Sequence, residues 1–149
     1  MTYWAHSDPT GLAYNAPGAK WQLLSEHLVN VGNLTRRLAQ LALPTNSHFH
    51  DIAGCCGLLH DFGKYSDEFQ KMIRTGKGRC QHAIHGAVLA EKGTPDCAIR
   101  PALTYVAAAI AGHHAGIPDL TGEGKSLAER IKKFHLSNKC RIVCRINRE

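Results

Sequence analysis

The side chains of this 149-residue chain best suited to chemistry are its ten histidines. Several stand where ordinary core patterning puts Leu or Ala. His27 lies between Leu24 and Val31 on the apolar side of a helical repeat, and His60 precedes Asp61 near the end of a second helix. His82 and His85 share the first turns of another, and His113-His114 closes a nearly all-apolar run. An inward imidazole needs partners for its polar nitrogens, so several close together are unfavourable unless they share a task. Metal ligation is the simplest such task, because an ion takes one nitrogen and a carbonyl or carboxylate takes the other. The sharpest local signal is His60-Asp61-Phe62-Gly63-Lys64. Neighbouring helical residues diverge by about 100°, so His60 and Asp61 do not chelate one ion as an i, i+4 pair does. They can flank a pair of ions, since a carboxylate bridges metals about 3.5–4 Å apart, the separation found in two-metal phosphoesterases. Lys64, one turn after His60, then sets an ammonium near a phosphate oxygen.

The elements that must position these residues read as helices. Leu24, Leu28, Val31, Leu34, Leu38 and Leu41 recur at three- and four-residue steps and predict an amphipathic helix over residues 19–43, with Pro44 just beyond it. A second is expected over 49–62, with Ile52, Ala53, Cys56 and Leu59 inward and Gly63 stopping it. Residues 66–74 form a short helix capped by Ser66 or Asp67, followed by a Gly-rich basic loop over 75–79. Further helices are expected over 81–92, over 102–111 after Pro101, and over 125–135. No segment gives a strong strand signal, and 138–149 alternates basic and apolar residues without a period. The fold class is all-α, a compact helical bundle.

Composition bounds the rest. At 149 residues, with 44% hydrophobic and 20% charged, the chain is one ordinary globular domain burying about two thirds of its unfolded surface. No apolar run approaches the roughly 20 residues of a membrane helix. The N-terminus lacks a secretory pattern, so a cytoplasmic location is expected and the six cysteines are expected to be free thiols. Cys140 and Cys144 make one C-x3-C, a weak zinc signal without a second pair. Residues 1–124 carry 10 Lys+Arg against 10 Asp+Glu, whereas 125–149 carry 8 against 2, so the net charge of +6 belongs to the tail. Such a tail is either a solvated end or a surface for a polyanion. Accordingly 1–124 is read as the site-bearing domain and 125–149 as a basic C-terminal helix and tail.

The chain resembles the HD superfamily of metal-dependent phosphohydrolases and, within it, the HD nuclease domain of the type I CRISPR helicase-nuclease. The likeness is carried by Tyr3-Trp4-Ala5-His6-Ser7, by the helix from Trp21 to His27, and by Gly57-Leu58-Leu59-His60-Asp61-Phe62-Gly63-Lys64-Tyr65-Ser66. It continues through His82-Ala83-Ile84-His85-Gly86-Ala87 and Ala111-Gly112-His113-His114-Ala115-Gly116-Ile117-Pro118-Asp119. The resemblance implies a compact HD-domain bundle with a dinuclear site. His27, His60 and Asp61 would hold one ion, and Asp61, His82, His113 and His114 the other. His82 fits the third motif because the family's histidine stands four residues before the Gly of a Gly-Ala pair, with His85 as the fallback. Lys64 would be the substrate-side lysine, so Asp61 and Lys64 carry the catalytic expectation. The family usually adds a late Asp to the first ion, and this chain has none in that context, its basic tail being divergent or truncated there.

The implied activity is hydrolysis of phosphodiester bonds in single-stranded DNA, with two divalent ions (Mn, Fe, Co, Ni or Zn, with Mg admitted) activating water for attack on phosphorus. The implied partners are single-stranded DNA, a helicase domain or subunit, and the CRISPR surveillance complex, with no membrane. Two rivals stand beside it: an HD phosphohydrolase of small nucleotides, and a degenerate HD domain that only binds nucleic acid or a helicase. His6, His48, His50 and His135 read as ordinary surface or capping residues, and Trp4 and Trp21 as packing. Thr121-Gly122-Glu123-Gly124-Lys125-Ser126 superficially resembles a phosphate-binding loop but lacks the first Gly and a preceding strand.

Overall fold

The computed structural model describes residues 2–92 and 100–136. The expectations for 138–149 and for the Cys140/Cys144 pair lie outside the described residues. Within them the chain is helical, as its periodicity implies: α1 (Leu24–Ala42), α2 (Ser47–Leu59), a 3-10 helix (Phe62–Tyr65), α3 (Asp67–Thr75), α4 (Ala83–Lys92), α5 (Arg100–Gly112) and α6 (Leu127–Leu136). Asn46 caps α2 by accepting from the Phe49 N–H at 3.0 Å. Ser66, one of the two residues expected there, caps α3 by accepting from the Phe69 N–H at 3.2 Å.

Periodicity did not foresee a small antiparallel sheet, β1 (Trp4–His6) paired with β2 (Gln22–Leu23). It also moves the start of α1 from residue 19 to Leu24. Residues 22–23 are extended against β1, and the Leu24 N–H donates to the Tyr3 carbonyl at 2.9 Å before the helix begins.

The main core is built by α4, α5 and α6. Val88, Val106 and Ile110 are almost wholly buried, together with Ile131 and Phe134. Each such aliphatic or aromatic side chain contributes about 1.5–3 kcal/mol on burial. Ile52, Cys56 and Leu59 of α2 lean on this core from one side. A smaller cluster of Ala5, Leu24 and Leu28 fastens β1 to α1.

The apolar stripe expected on α1 is buried only in its first half. Leu24 and Leu28 are inside, whereas Leu34, Leu38 and Leu41 are exposed. The cause is the face that α2 selects. It packs against Gly32 and Thr35, whose small side chains admit close approach, and Thr35 Oγ1 donates to the Ala53 carbonyl at 2.8 Å, with Ala39 of α1 buried as well. The stripe is rotated away from that contact. Among the described residues no helix is long and apolar enough to cross a membrane.

Candidate metal centre

Asp61 is the hub, only 3% exposed. Its Oδ2 faces His27 Nε2 at 3.0 Å, His60 Nε2 at 3.2 Å and Lys64 Nζ at 2.8 Å. Its Oδ1 faces His82 Nε2 at 3.0 Å and His113 Nε2 at 3.5 Å. His114 joins through His82, their Nε2 atoms being 2.9 Å apart. The structure thus brings together all the residues expected at the site: His27, His60, Asp61, Lys64, His82, His113 and His114. His85 is turned away, its Nδ1 3.3 Å from the His82 carbonyl and its ring 4.7 Å from that of Phe134.

Local breaks in regular structure aim these groups. Helix α2 ends at Leu59, His60 is its C-cap, and Asp61 adopts φ −107°, ψ 14°, a sparsely populated conformation. Leaving the helical screw at that point lets two adjacent side chains converge. Gly63 permits the next contact, because a Cβ there would sit 2.1 Å from the His82 carbonyl oxygen. Gly86 does the same from α4, where a Cβ would lie 2.0 Å from the Leu59 oxygen. Gly63 therefore serves as a close-approach residue rather than as the helix stop expected from its position. His113 and His114 follow the last turn of α5.

The donor chemistry calls for a cation. His60 Nδ1 lies 2.7 Å from the Gly57 carbonyl, and His113 Nδ1 lies 2.7 Å from that of Ile110. A carbonyl only accepts, so each Nδ1 donates, and in the neutral ring each Nε2 presents a lone pair toward Asp61. Lone pairs facing a carboxylate repel unless a proton or metal lies between them. Asp61 Oδ1 and His82 Nδ1 are buried without a hydrogen-bond partner. Moreover, His27 Nε2, His60 Nε2 and Asp61 Oδ2 form a triangle with sides of 3.0, 3.2 and 3.2 Å. Ligand atoms about 2.0–2.2 Å from one ion are neighbours at about that spacing. On the other side, Asp61, His82, His113 and His114 each offer a ligand atom, all within 4.8 Å of one another.

Protonation agrees with this reading. Burial pushes the Asp61 carboxyl up, but His113, His60, His82 and Lys64 facing it outweigh burial and hold it well below the usual carboxylate range. Burial, against the pull of Asp61, lowers His27. Burial and the neighbouring His113 and His82 lower His114. His113 is raised, by Asp61 against burial. The result is an ionised carboxylate with His27 and His114 biased toward the neutral imidazole, the ligand forms of both groups.

Two placements differ from expectation. Lys64 does not point into an open site. It is 6% exposed, and its Nζ donates to the Ala5 carbonyl at 3.1 Å as well as pairing with Asp61. His6, read from sequence as a surface residue, lies beside the cluster. A ring nitrogen of His6, one of His27 and an Asp61 oxygen fall within 4.8 Å of one another. No period marks a three-residue strand, so only its place in the Tyr3–Ser7 stretch could have drawn notice.

The remaining histidines are structural or peripheral. His50 Nε2 donates to the Leu43 carbonyl at 2.7 Å, tying α2 to the end of α1. His48 is exposed, and His135 lies 3.5 Å from Lys92 Nζ. Trp4 and Trp21 pack edge to face at 5.8 Å. Ser126, in the loop resembling a phosphate-binding motif, caps α6 by accepting from the Glu129 N–H at 3.3 Å.

Comparison with known protein families matches residues 24–146 to the HD domain family. No curated protein and no solved structure matches the chain.

Proposed function

Since residues 24–146 carry the HD domain, the chain belongs to that family of metal-dependent phosphohydrolases, and we propose that it is a nuclease hydrolysing phosphodiester bonds of single-stranded DNA in type I CRISPR interference. The observation that carries the metal-dependent reading is the convergence of four imidazole Nε2 atoms on one buried carboxylate at 3.0–3.5 Å. Two bound divalent ions would activate water and neutralise charge on the phosphate. A mixed imidazole and carboxylate set suits Mn, Fe, Co, Ni or Zn.

The protein's own residues do the rest. Asp61 bridges the two halves of the site through its separate oxygens. His60 and His113 are locked in orientation by their Nδ1–H bonds to backbone carbonyls. Lys64 holds the bridging carboxylate and the neighbouring strand together. The substrate class is supported by access: His6, His113 and His114 stand at an exposed rim, which suits a long strand better than a closed nucleotide pocket. The proposed partners are a helicase domain or subunit and the CRISPR surveillance complex.

The test is cleavage of circular single-stranded DNA by the purified chain with Mn2+ or Co2+. Cutting is expected, with at least a tenfold loss in Asp61→Asn at unchanged helical circular dichroism. Phosphate release from nucleotides with circular DNA left intact establishes the small-nucleotide rival instead. DNA binding with no hydrolysis under any divalent metal establishes the binding-only rival.

A further inference from the structure

We infer that His6 is a protein ligand of the same ion as His27, His60 and Asp61, delivered to it by strand β1. The inference rests on the metal-dependent reading above and adds a residue outside the matched span of 24–146. The triangle of His27, His60 and Asp61 atoms is one face of a coordination shell, and a five- or six-coordinate ion has room there for a further protein ligand beside the water to be activated. His6 is placed to be it. Its ring nitrogen lies within 4.8 Å of both the His27 and Asp61 ligand atoms. Neighbouring ligands of one ion bound at about 2.0–2.2 Å stand roughly 3–3.6 Å apart, so the His6 ring must swing inward, toward the side where His60 stands, to close the shell. The His6 ring meets the His27 ring edge to face, with centroids 4.9 Å apart. Being exposed, it can rotate about its side-chain torsions without disturbing the core.

The backbone carrying His6 is held by the same groups that hold the site. Gln70, 1% exposed, accepts from the Trp4 N–H at 3.0 Å and donates to the Trp4 and Lys64 carbonyls at 2.9 and 2.8 Å. Lys64 Nζ bridges Asp61 Oδ2 and the carbonyl of Ala5, the residue before His6. One buried ammonium thus fixes both the bridging carboxylate and the strand that presents His6.

Calorimetric titration of Co2+ into the metal-free full chain tests this. Wild type should take up two ions. His6→Ala should weaken one of them at least ~10-fold, the scale of effects around metal ligands, and leave the other within twofold. The double variant His6→Ala/His27→Ala should bind that ion more weakly than His27→Ala alone and keep the other ion within twofold. His6→Cys should add a thiolate-to-cobalt charge-transfer band absent from wild type. Two unweakened ions in His6→Ala overturn the inference while leaving the metal-dependent reading in place. Equal weakening of both ions, or a lower melting temperature of His6→Ala in the metal-free state, assigns His6 a purely structural part and also overturns it. Failure of wild type to bind Co2+ overturns both readings together.

Discussion

A buried ammonium and a buried carboxylate persist only where each finds its partners, and Lys64 and Asp61 do so at 2.8 Å with side chains 7% and 5% exposed. Breaking such a pair by removing one member costs about 3–5 kcal/mol, because the other charge stays buried without compensation. Lys64→Met should therefore lower the unfolding free energy of the metal-free protein by about 3 kcal/mol, measured by urea denaturation in a chelator. Saturating Co2+ should shrink the loss, since an ion replaces the ammonium as the positive charge facing Asp61. An equal loss with and without metal would show that Lys64 acts through β1 alone. At this scale the sequence was a good guide to identity and a poor one to direction. His27, His60, His82, His113 and His114 stood out because each occupies a position where an apolar residue is ordinary. Spacing placed Lys64 one turn from His60 but was silent on whether it faces solvent or the Ala5 carbonyl. His6 reads as a surface residue because a lone histidine in a polar stretch has no periodic neighbours to show which way it faces, even though Tyr3–Ser7 carries part of the family likeness.

Between elements, the site depends on where helices stop and how closely backbones approach. The pause after Leu59 turns His60 and Asp61 toward a common point, and Gly63 lets the 3-10 helix lie against the residue that supplies His82. Gly63→Ala introduces a Cβ 2.1 Å from a backbone oxygen, which no side-chain rotation can relieve. The two segments must separate, carrying His82 away from Asp61 Oδ1. We expect a destabilisation of about 1–3 kcal/mol, the range for overpacking, and weaker binding of the ion on the His82 side with the other less affected. Thermal unfolding and metal titration of the same sample check both parts. Helix existence was legible because periodicity over nine or more residues is a strong signal. The strands were not, since three- and two-residue segments are too short to show alternation. The apolar stripe of α1 misled for a different reason: periodicity identifies a face, but which part of it a partner covers depends on small residues such as Gly32 and Thr35 on the adjacent side.

For the whole molecule, charge is the property that folding does not explain. The site-bearing part is balanced, and all of the net +6 lies in residues 125–149. Helix α6 shows how its first portion is spent: Arg130 is committed to the Ala111 carbonyl at 2.8 Å, whereas Lys132 and Lys133 are exposed and make only long surface contacts, to Glu129 at 3.7 Å and to the Gly124 carbonyl at 3.4 Å. Arg141, Arg145 and Arg148 lie outside the described residues. None of Lys132, Lys133, Arg141, Arg145 and Arg148 offers a metal ligand or a proton donor near neutral pH, so their proposed part is affinity for the DNA strand without chemistry. Each phosphate neutralised on a single strand steepens the fall of log binding constant with log salt by about 0.7. Replacing Lys132, Lys133, Arg141, Arg145 and Arg148 with Gln should weaken binding of single-stranded DNA at low salt and flatten that slope by about 0.7 for every phosphate no longer neutralised. The cleavage rate at saturating DNA should stay within about twofold of wild type, because groups that add only uniform binding lower KM without raising kcat. Fluorescence anisotropy across a salt series, with single-turnover cleavage at saturation, separates the two effects. An unchanged slope would show that the tail never meets the strand, and its charge would then be a surface for an acidic partner protein. A changed rate at saturation would instead place part of the tail at the scissile phosphate.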